Sequence, residues 1–266
     1  MQEVDLYSLL DCAINASIKA GDEIMKIYDS NFEFTTKEDD SPLTVADKNS
    51  NAIIEKALKI SKIPFLSEEG KDIPYNERKK WDYLWIVDPL DGTKEFIKKN
   101  GEFTVNIALV KKQKPILGVI YVPCTNELYY ALKGLGAFKA TIDDSYKGLE
   151  SLLKNSSKLP LNQNRSNFIV VGSRSHMSKE TQKYFDKKKN EYDSVEVLAV
   201  GSSLKICMVA EGKADVYPRY APTMEWDTAA GHAIANMAGF KIIEYNSSNE
   251  IIYNKEELLN PWFLVS

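Results

Sequence analysis

The chain has 266 residues, 44% of them apolar and 27% charged, which supplies one sizeable core and reads as a folded, soluble protein. With 34 Lys and Arg against 38 Asp and Glu the formal net charge is -4, so no field over the whole surface gathers nucleic acid or anionic lipid. The longest apolar runs, such as Ile116 to Val122, fall far short of the roughly 20 residues that cross a bilayer. The N-terminus lacks a basic-then-apolar signal pattern, which predicts a cytoplasmic protein with no stable membrane insertion and leaves peripheral inner-membrane association open. Cys12, Cys124 and Cys207 are odd in number, far apart and without C-x-x-C spacing, the pattern of free thiols. His176 and His232 are the only histidines, so a histidine-rich metal centre is excluded and any metal must be held by oxygen.

Apolar residues from Leu6 to Ile27 recur at helical spacing and predict a long first helix ending near Tyr28. Ser41-Pro42-Leu43-Thr44 predicts a turn and cap, followed by a second amphipathic helix from Val45 to Ile60 with Asp47 in its first turn. Ile63 to Ser67 and Tyr83 to Val87 read as short strands, the first running into Glu68-Glu69 and the second into Asp88. Three strands, from Phe103, from Ile116 and from Leu128, read as antiparallel neighbours. The polar stretch from Thr141 to Asn167 lacks a period and reads as a surface connection between two lobes of one unit, approximately 1–140 and 168–266. Beyond it Phe168–Val171, Ser178–Asn190, Val195–Val200, Ser203–Glu211, Ala214–Tyr217, Asp227–Ala238 and Phe240–Tyr245 alternate strand and helix, with no internal repeat.

The most informative stretch is W-I-V-D-P-L-D-G-T-K-E-F, Trp85 to Phe96, where a buried strand stops at an acid, turns through proline and opens a helix. Pro89 fixes φ and has no N–H to leave unpaired, so the Leu90 carbonyl and the Asp91 carboxylate are brought toward Asp88. Gly92 lets a ligand approach the backbone, and the Gly92 and Thr93 N–H groups at a helix start suit a phosphate. Taken alone, D-P-x-D is a strand end and an N-cap, Glu68-Glu69 a solvated strand end and Asp227 a helix cap. Their coincidence at element termini is what suits a hard cation such as Mg²⁺.

The segments S-E-E-G, W-I-V-D-P-L-D-G-T-K-E-F-I and W-D-T-A-A-G-H-A together resemble the inositol monophosphatase superfamily of Mg²⁺-dependent phosphatases. D-G-T-K-E-F-I, where inositol phosphatases more usually carry T-N-F after D-G-T, with S-R-S-H at Ser173 and G-S-S-L-K at Gly201, resembles its CysQ-type 3′(2′),5′-bisphosphate nucleotidases. The resemblance implies an α/β fold, a layered αβαβα sandwich of the sugar phosphatase type. It implies that Glu68, Asp88 and the Leu90 carbonyl hold one Mg²⁺ and that Asp88, Asp91 and Asp227 hold a second, with a third ion sharing Glu68. It also gives proton removal from water to Thr93 coupled to Asp47, with Glu69 orienting the water. Glu68, Asp91, Gly92, Thr93, Lys94 and Asp227 would surround the scissile phosphate, and His176, Ser202, Lys205 and Arg219 the ribose and second phosphate. Read singly, Lys205 and Arg219 are solvated surface charges, His176 a loop residue and His232 a packing or hydrogen-bonding residue of the Asp227 helix.

The resulting expectation is a phosphomonoesterase that removes the 3′-phosphate of adenosine 3′,5′-bisphosphate, with activity on its sulfated relative PAPS and a context in sulfur assimilation. The alternatives are an inositol or other sugar monophosphatase, and a non-catalytic nucleotide sensor on the same fold. The expected partner is a small nucleotide bisphosphate and no nucleic acid, in a monomer or homodimer.

Overall fold

The computed structural model describes residues 5–29, 34–36, 42–161, 166–173 and 178–266. The chain opens with helix α1 (Leu6–Tyr28), strands β1 (Phe34–Thr36) and β2 (Pro42–Thr44), and helix α2 (Val45–Leu58). There follow β3 (Phe65–Ser67), α3 (Tyr75–Arg78), β4 (Tyr83–Asp91), α4 (Thr93–Ile97), β5 (Thr104–Lys111), β6 (Lys114–Val122), β7 (Glu127–Leu132) and β8 (Gly136–Thr141). After α5 (Leu149–Asn155) and β9 (Ser157–Lys158) come β10 (Phe168–Ser173), α6 (Lys179–Glu191), β11 (Val195–Val200) and α7 (Leu204–Glu211). The described chain finishes with β12 (Tyr217–Arg219), α8 (Glu225–Met237), β13 (Ile242–Glu244) and β14 (Phe263–Val265).

Strands β3 to β9 form one sheet in sequence order, antiparallel throughout except for the parallel pair β3 and β4. Because side chains alternate across a strand, each central strand feeds two cores. Trp85, Val87, Val105, Ile107 and Leu109 pack with the apolar stripe of α1, including Leu10, Ile14 and Ile24, and with Ile54 of α2. Leu84, Ile86, Ala108 and Val110 point the other way, to Ile206 and Val209 of α7 and Ala229, Ala230 and Ile234 of α8. On the far side of α7 and α8 lies a second sheet. It is built from the parallel pair β10 and β11 and the set β12-β14-β13, joined by a bridge between Val170 and Val216. Its inner residues Val171, Tyr217 and Phe263 complete the α7/α8 core, and Phe185 of α6 covers Val170 and Val216 outside. The layers therefore run helix pair, sheet, helix pair, sheet, helix, the αβαβα order that the family resemblance implies.

Three local expectations need correction. Pro42–Thr44 is not a turn but a strand paired with Phe34–Thr36, because its extended residues find a partner earlier in the chain. The strand from Tyr83 does not end before Asp88 but runs to Asp91. The stretch from Thr141 to Asn167 is not structureless: α5 packs Leu149, Leu152 and Leu153 against the α1 core, and β9 adds an edge strand to β8. A helix of 7 residues spans two turns, too few to register as a period.

Gly118 of β6 fixes how closely α8 lies on the large sheet. A Cβ there would stand 2.3 Å from the Ala230 carbonyl oxygen and 2.8 Å from the Ala233 Cβ. Gly118→Ala is therefore expected to destabilise the protein by about 1–3 kcal/mol, the usual cost of overpacking a core. Urea unfolding should show this as a lower midpoint at unchanged slope.

Candidate active site

The end of β4 carries a bulge: Asp88 pairs with Asn106 and Asp91 with Thr104, so three steps on β4 match two on β5. Residues three apart in a regular strand face opposite ways, and the extra residue brings both acids to the same face. Pro89 occupies the bulge, where no N–H is required, and its carbonyl accepts the Ser50 hydroxyl of α2 at 2.7 Å. Asp88 Oδ1 accepts the Leu90 N–H at 3.1 Å, which holds the carboxylate inward. The face carrying these acids is the one covered by α8. Asp227 lies in the first turn of α8, where its carboxylate accepts the Met224 N–H at 2.8 Å. Carboxylate oxygens of Asp88, Asp91 and Asp227 lie within 4.8 Å of one another.

Burial, and then the charges of Glu68, Asp91, Asp227 and Asp47, push the Asp88 carboxyl well above the usual range. Asp227 is pushed to about 8, first by burial and then by Asp91 and Glu68, against the opposing Met224 N–H and Arg219. Asp91 is raised by burial, with Lys205, the Asn106 amide and the Ser203 N–H resisting. Acids from β3's end, α2, β4 and α8 thus act on a common point. Mutual repulsion in a buried place is relieved by protons or by a hard cation, and an all-oxygen donor set fits Mg²⁺-like ions.

The other sequence-derived residues fall around this cluster. Asp47 is buried in the first turn of α2, Glu68 is exposed immediately after β3, and Glu69 is half-buried beside it. Gly92 turns the chain at φ 94° into α4, whose first residue Thr93 donates its hydroxyl to the Leu90 carbonyl at 3.4 Å. Asp91, Gly92, Lys94, Ser202, Lys205, Arg219 and Asp227 line one cleft. Lys205 is buried rather than solvated: its ammonium donates to the Ser202 carbonyl at 2.5 Å and the Val200 carbonyl at 3.3 Å, over the Tyr217 ring. Burial holds it down at about 8, with Asp91 pulling the other way and Arg219 adding to the depression. Arg219 donates to the Pro222 carbonyl at 2.9 Å, and its buried Nε has no partner among the described residues. The cleft therefore has an acidic wall and a basic one. His176 lies outside the described residues. His232 is buried and its Nδ1 shares a hydrogen bond with the Tyr253 hydroxyl at 3.0 Å, in keeping with a packing or hydrogen-bonding residue.

Sequence reasoning missed the residues that hold Asp91 in place. Its Oδ2 accepts the Ser203 N–H at 2.5 Å and the Asn106 amide at 3.3 Å. Asn106 Oδ1 in turn accepts the hydroxyls of Ser203 at 2.8 Å and Thr104 at 3.0 Å. The available signal was an Asn inside the apolar run V-N-I-A-L-V, since a buried amide in a central strand must be answered by polar partners. Gly201, part of the G-S-S-L-K motif, leaves no room for a side chain: a Cβ there would lie 2.7 Å from Glu95 Cγ and 2.9 Å from the Glu102 carbonyl, while its N–H donates to Glu102 Oε2 at 2.8 Å.

Comparison with known proteins agrees with this fold. The model of the inositol monophosphatase family matches residues 5–263. The 3′(2′),5′-bisphosphate nucleotidase CysQ of Salmonella typhimurium is 41% identical over 262 residues, 97% of this chain and 99% of that protein. The nucleotidase of the same name from Escherichia coli K12 is 41% identical over 263 residues, with the same coverage of 97% and 99%. Among solved structures, CysQ from Bacteroides thetaiotaomicron, a bacterial member of the inositol monophosphatase family, superposes with a TM-score of 0.91 at 50% identity, covering 99% of this chain and 98% of that one. The Thermotoga maritima IMPase, at 22% identity and a TM-score of 0.76 over 97% and 92% of the two chains, shares the fold.

The acid cluster gives a stability signature. Asp227 holds its proton up to about 8 in the folded, metal-free protein, whereas an unfolded Asp loses it near 4. Between those values the folded state carries the extra proton, so its contribution is full below the unfolded pKa and is lost as pH rises, by on the order of 1 kcal/mol per pH unit. In a chelator, the urea midpoint should fall from about pH 5 to about pH 8, and Asp227→Asn should flatten that fall.

Proposed function

The chain belongs to the inositol monophosphatase family, and from that premise we propose that it is a Mg²⁺-dependent phosphomonoesterase that converts adenosine 3′,5′-bisphosphate to AMP and phosphate. The single observation that carries the reading is the cleft's division between acids and cations: it is lined by Asp91 and Asp227, whose carboxylates converge with that of Asp88, and by buried Lys205 and half-buried Arg219. A substrate with two phosphate groups, one cleaved and one only held, is complementary to that division. The identity to nucleotidases over nearly the whole chain supports the same choice over inositol phosphate. PAPS, with the same 3′-phosphate, is a second substrate of this reading.

Asp88, Asp91, Asp227, Glu68 and the Leu90 carbonyl would hold two or three Mg²⁺ ions. When bound, such ions supply an activated water and neutralise the phosphate oxygens and leaving alkoxide of an in-line displacement. The Thr93 hydroxyl takes the proton of the attacking water as it hands its own to the Asp47 carboxylate, and Glu69 keeps that water oriented. The water oxygen bonds to phosphorus, the bond to the ribose 3′-oxygen breaks, and that oxygen collects a proton from solvent. Gly92 and Thr93 N–H groups at the start of α4, with Lys94, surround the phosphate under attack. Lys205, Arg219, Ser202 and His176 hold the 5′-phosphate and ribose through charge-assisted hydrogen bonds. We place the activity in the cytoplasm, in sulfur metabolism, which suits three free cysteine thiols.

Phosphate release from adenosine 3′,5′-bisphosphate should exceed that from inositol monophosphate in kcat/KM by two or more orders of magnitude, on the order expected where a site is built to pair a substrate's charge. A preference for the inositol ester would overturn the substrate assignment, and binding without release in Mg²⁺ would make the protein a sensor. Asp88→Asn should lower kcat by roughly a thousandfold or more, because it removes the donor at the centre of the cluster. Lys205→Met should raise KM for the bisphosphate by about 10–100-fold, the cost of a charged hydrogen bond, with a much smaller effect on a nucleoside 3′-monophosphate.

A further inference from the structure

Strand β12 sends Tyr217 and Arg219, two residues apart, to the same face of the second sheet, where both line the catalytic cleft. Tyr217 is only 3% exposed. Its ring is held on two sides: Phe263 of β14 meets it edge-on, with centroids 5.9 Å apart at 88°, and the Lys205 ammonium lies 5.6 Å from its centroid. A phenylalanine ring would fill that space equally well, so packing accounts for the ring and leaves the hydroxyl without a purpose.

The hydroxyl forms no hydrogen bond of good geometry with a described residue. It is not sealed either: Arg219 Nε is a cleft atom that lacks both a partner and solvent, and the Tyr217 oxygen is not of that class. What the oxygen opens on is the cleft. Burial pushes the phenol up to about 12, and Arg219 pulls it down more strongly than Asp91 or Asp227 pushes it up, so it keeps its proton at neutral pH. A guanidinium can only donate, so any bond between Arg219 and Tyr217 uses the phenol oxygen as acceptor and leaves its O–H to give. Asp91 and Asp227 do not take that proton: their carboxylates accept from Ser203, Asn106 and Met224. An O–H held in an apolar wall without an acceptor is costly, and a ligand that accepts it removes the cost.

Resting on the reading of the cleft as a bisphosphate site, we propose that Tyr217 is a specificity-determining residue whose hydroxyl donates to the phosphate that is held and not cleaved. Ammonium, guanidinium and phenol then offer three kinds of donor to the three outer oxygens of one phosphate monoester. The ring fixed between Phe263 and Lys205 presents the O–H with little freedom left to lose. A substrate without that second phosphate leaves the hydroxyl unanswered, and sites built to pair a polar group discriminate strongly against a substrate that lacks its partner.

The test compares the full chain with Tyr217→Phe, which keeps the ring beneath Lys205. In Mg²⁺ the variant should lose about 10–100-fold in kcat/KM for adenosine 3′,5′-bisphosphate, through KM with kcat unchanged, and lose nothing for adenosine 3′-monophosphate. Calorimetry with 5′-AMP, which carries only the held phosphate, should show the same 10–100-fold loss. Replacing Tyr217 by 3-fluorotyrosine, a more acidic phenol, at about pH 6 where it stays protonated, should tighten 5′-AMP if the hydroxyl donates to phosphate and weaken it if the oxygen merely serves Arg219 as acceptor. The proposal is overturned if Tyr217→Phe binds 5′-AMP as well as the parent, if it loses both substrates equally, or if 3-fluorotyrosine weakens 5′-AMP. Hydrolysis of the bisphosphate with Tyr217→Phe unaffected defeats this proposal alone. Tyr217-dependent 5′-AMP binding without phosphate release supports it and defeats the phosphatase reading.

Discussion

The structure is organised around buried carboxylates that repel one another. Asp88, Asp91 and Asp227 cannot all be ionised at close range in a dry place without compensation, so each is held by a specific backbone or side-chain donor. Leu90 N–H serves Asp88, Ser203 N–H and the Asn106 amide serve Asp91, and Met224 N–H serves Asp227. These bonds position the acids even without a cation, which is the preorganisation a metal-assisted hydrolase requires. The cost is local instability that the two large apolar cores on either face of the seven-stranded sheet must offset.

Helix α8 links most of the features described. Its first turn supplies Asp227 to the acid cluster and its middle lies against Gly118 of the central sheet. A polar stripe, Thr228, His232 and Asn236, runs along it from the cleft to the segment 248–261, to which it is tied. Glu225, fully buried at the helix start, accepts the Asn254 N–H at 2.5 Å, the Lys255 N–H at 3.0 Å and the Lys255 ammonium at 2.6 Å. An uncompensated carboxylate there would be severely destabilising, so these bonds tie the helix start to the irregular segment that carries Asn254 and Lys255. The catalytic cleft and a second cavity, between α8, the start of β6 and the segment 248–261, thus flank one helix, and Asn260 touches both: its amide reaches Thr223 and Thr228, which line the cleft, while it lines the cavity.

The two walls of the cleft differ in how their charge is supported. The acidic wall rests on strand β4 and helix α8, elements fixed by the core. The basic wall depends on the turn at Gly201 to Ser203, where Ser202 adopts φ 46° and its carbonyl receives the Lys205 ammonium. Glu102 anchors that turn through the Gly201 N–H. The same turn supplies the Ser203 N–H that holds Asp91, so substrate and metal sides are joined by one hydrogen-bonded loop rather than by separate frameworks.

Much of this was legible in the residue order because it is written in local chemistry. Helical spacing in α1, alternation in β5 to β7 and the acids at element termini are consequences of which neighbours a residue has along the chain. The bulge was hidden: D-P-L-D reads as a turn after a strand, and only pairing with Asn106 and Thr104 of β5 shows the strand continuing and turning both acids to one side. Burial of Lys205 was equally hidden, because a lysine's solvation depends on what covers it. Asn106 offered a signal, but its partners Asp91 and Ser203 lie 15 and 97 residues away. The sequence by itself determined which residue types were available for metal and phosphate chemistry and the elements that carry them. Tertiary structure alone decided which acids face one another and which cations are dry, since electrostatic energy depends on distance and dielectric, quantities that exist only after the chain has packed.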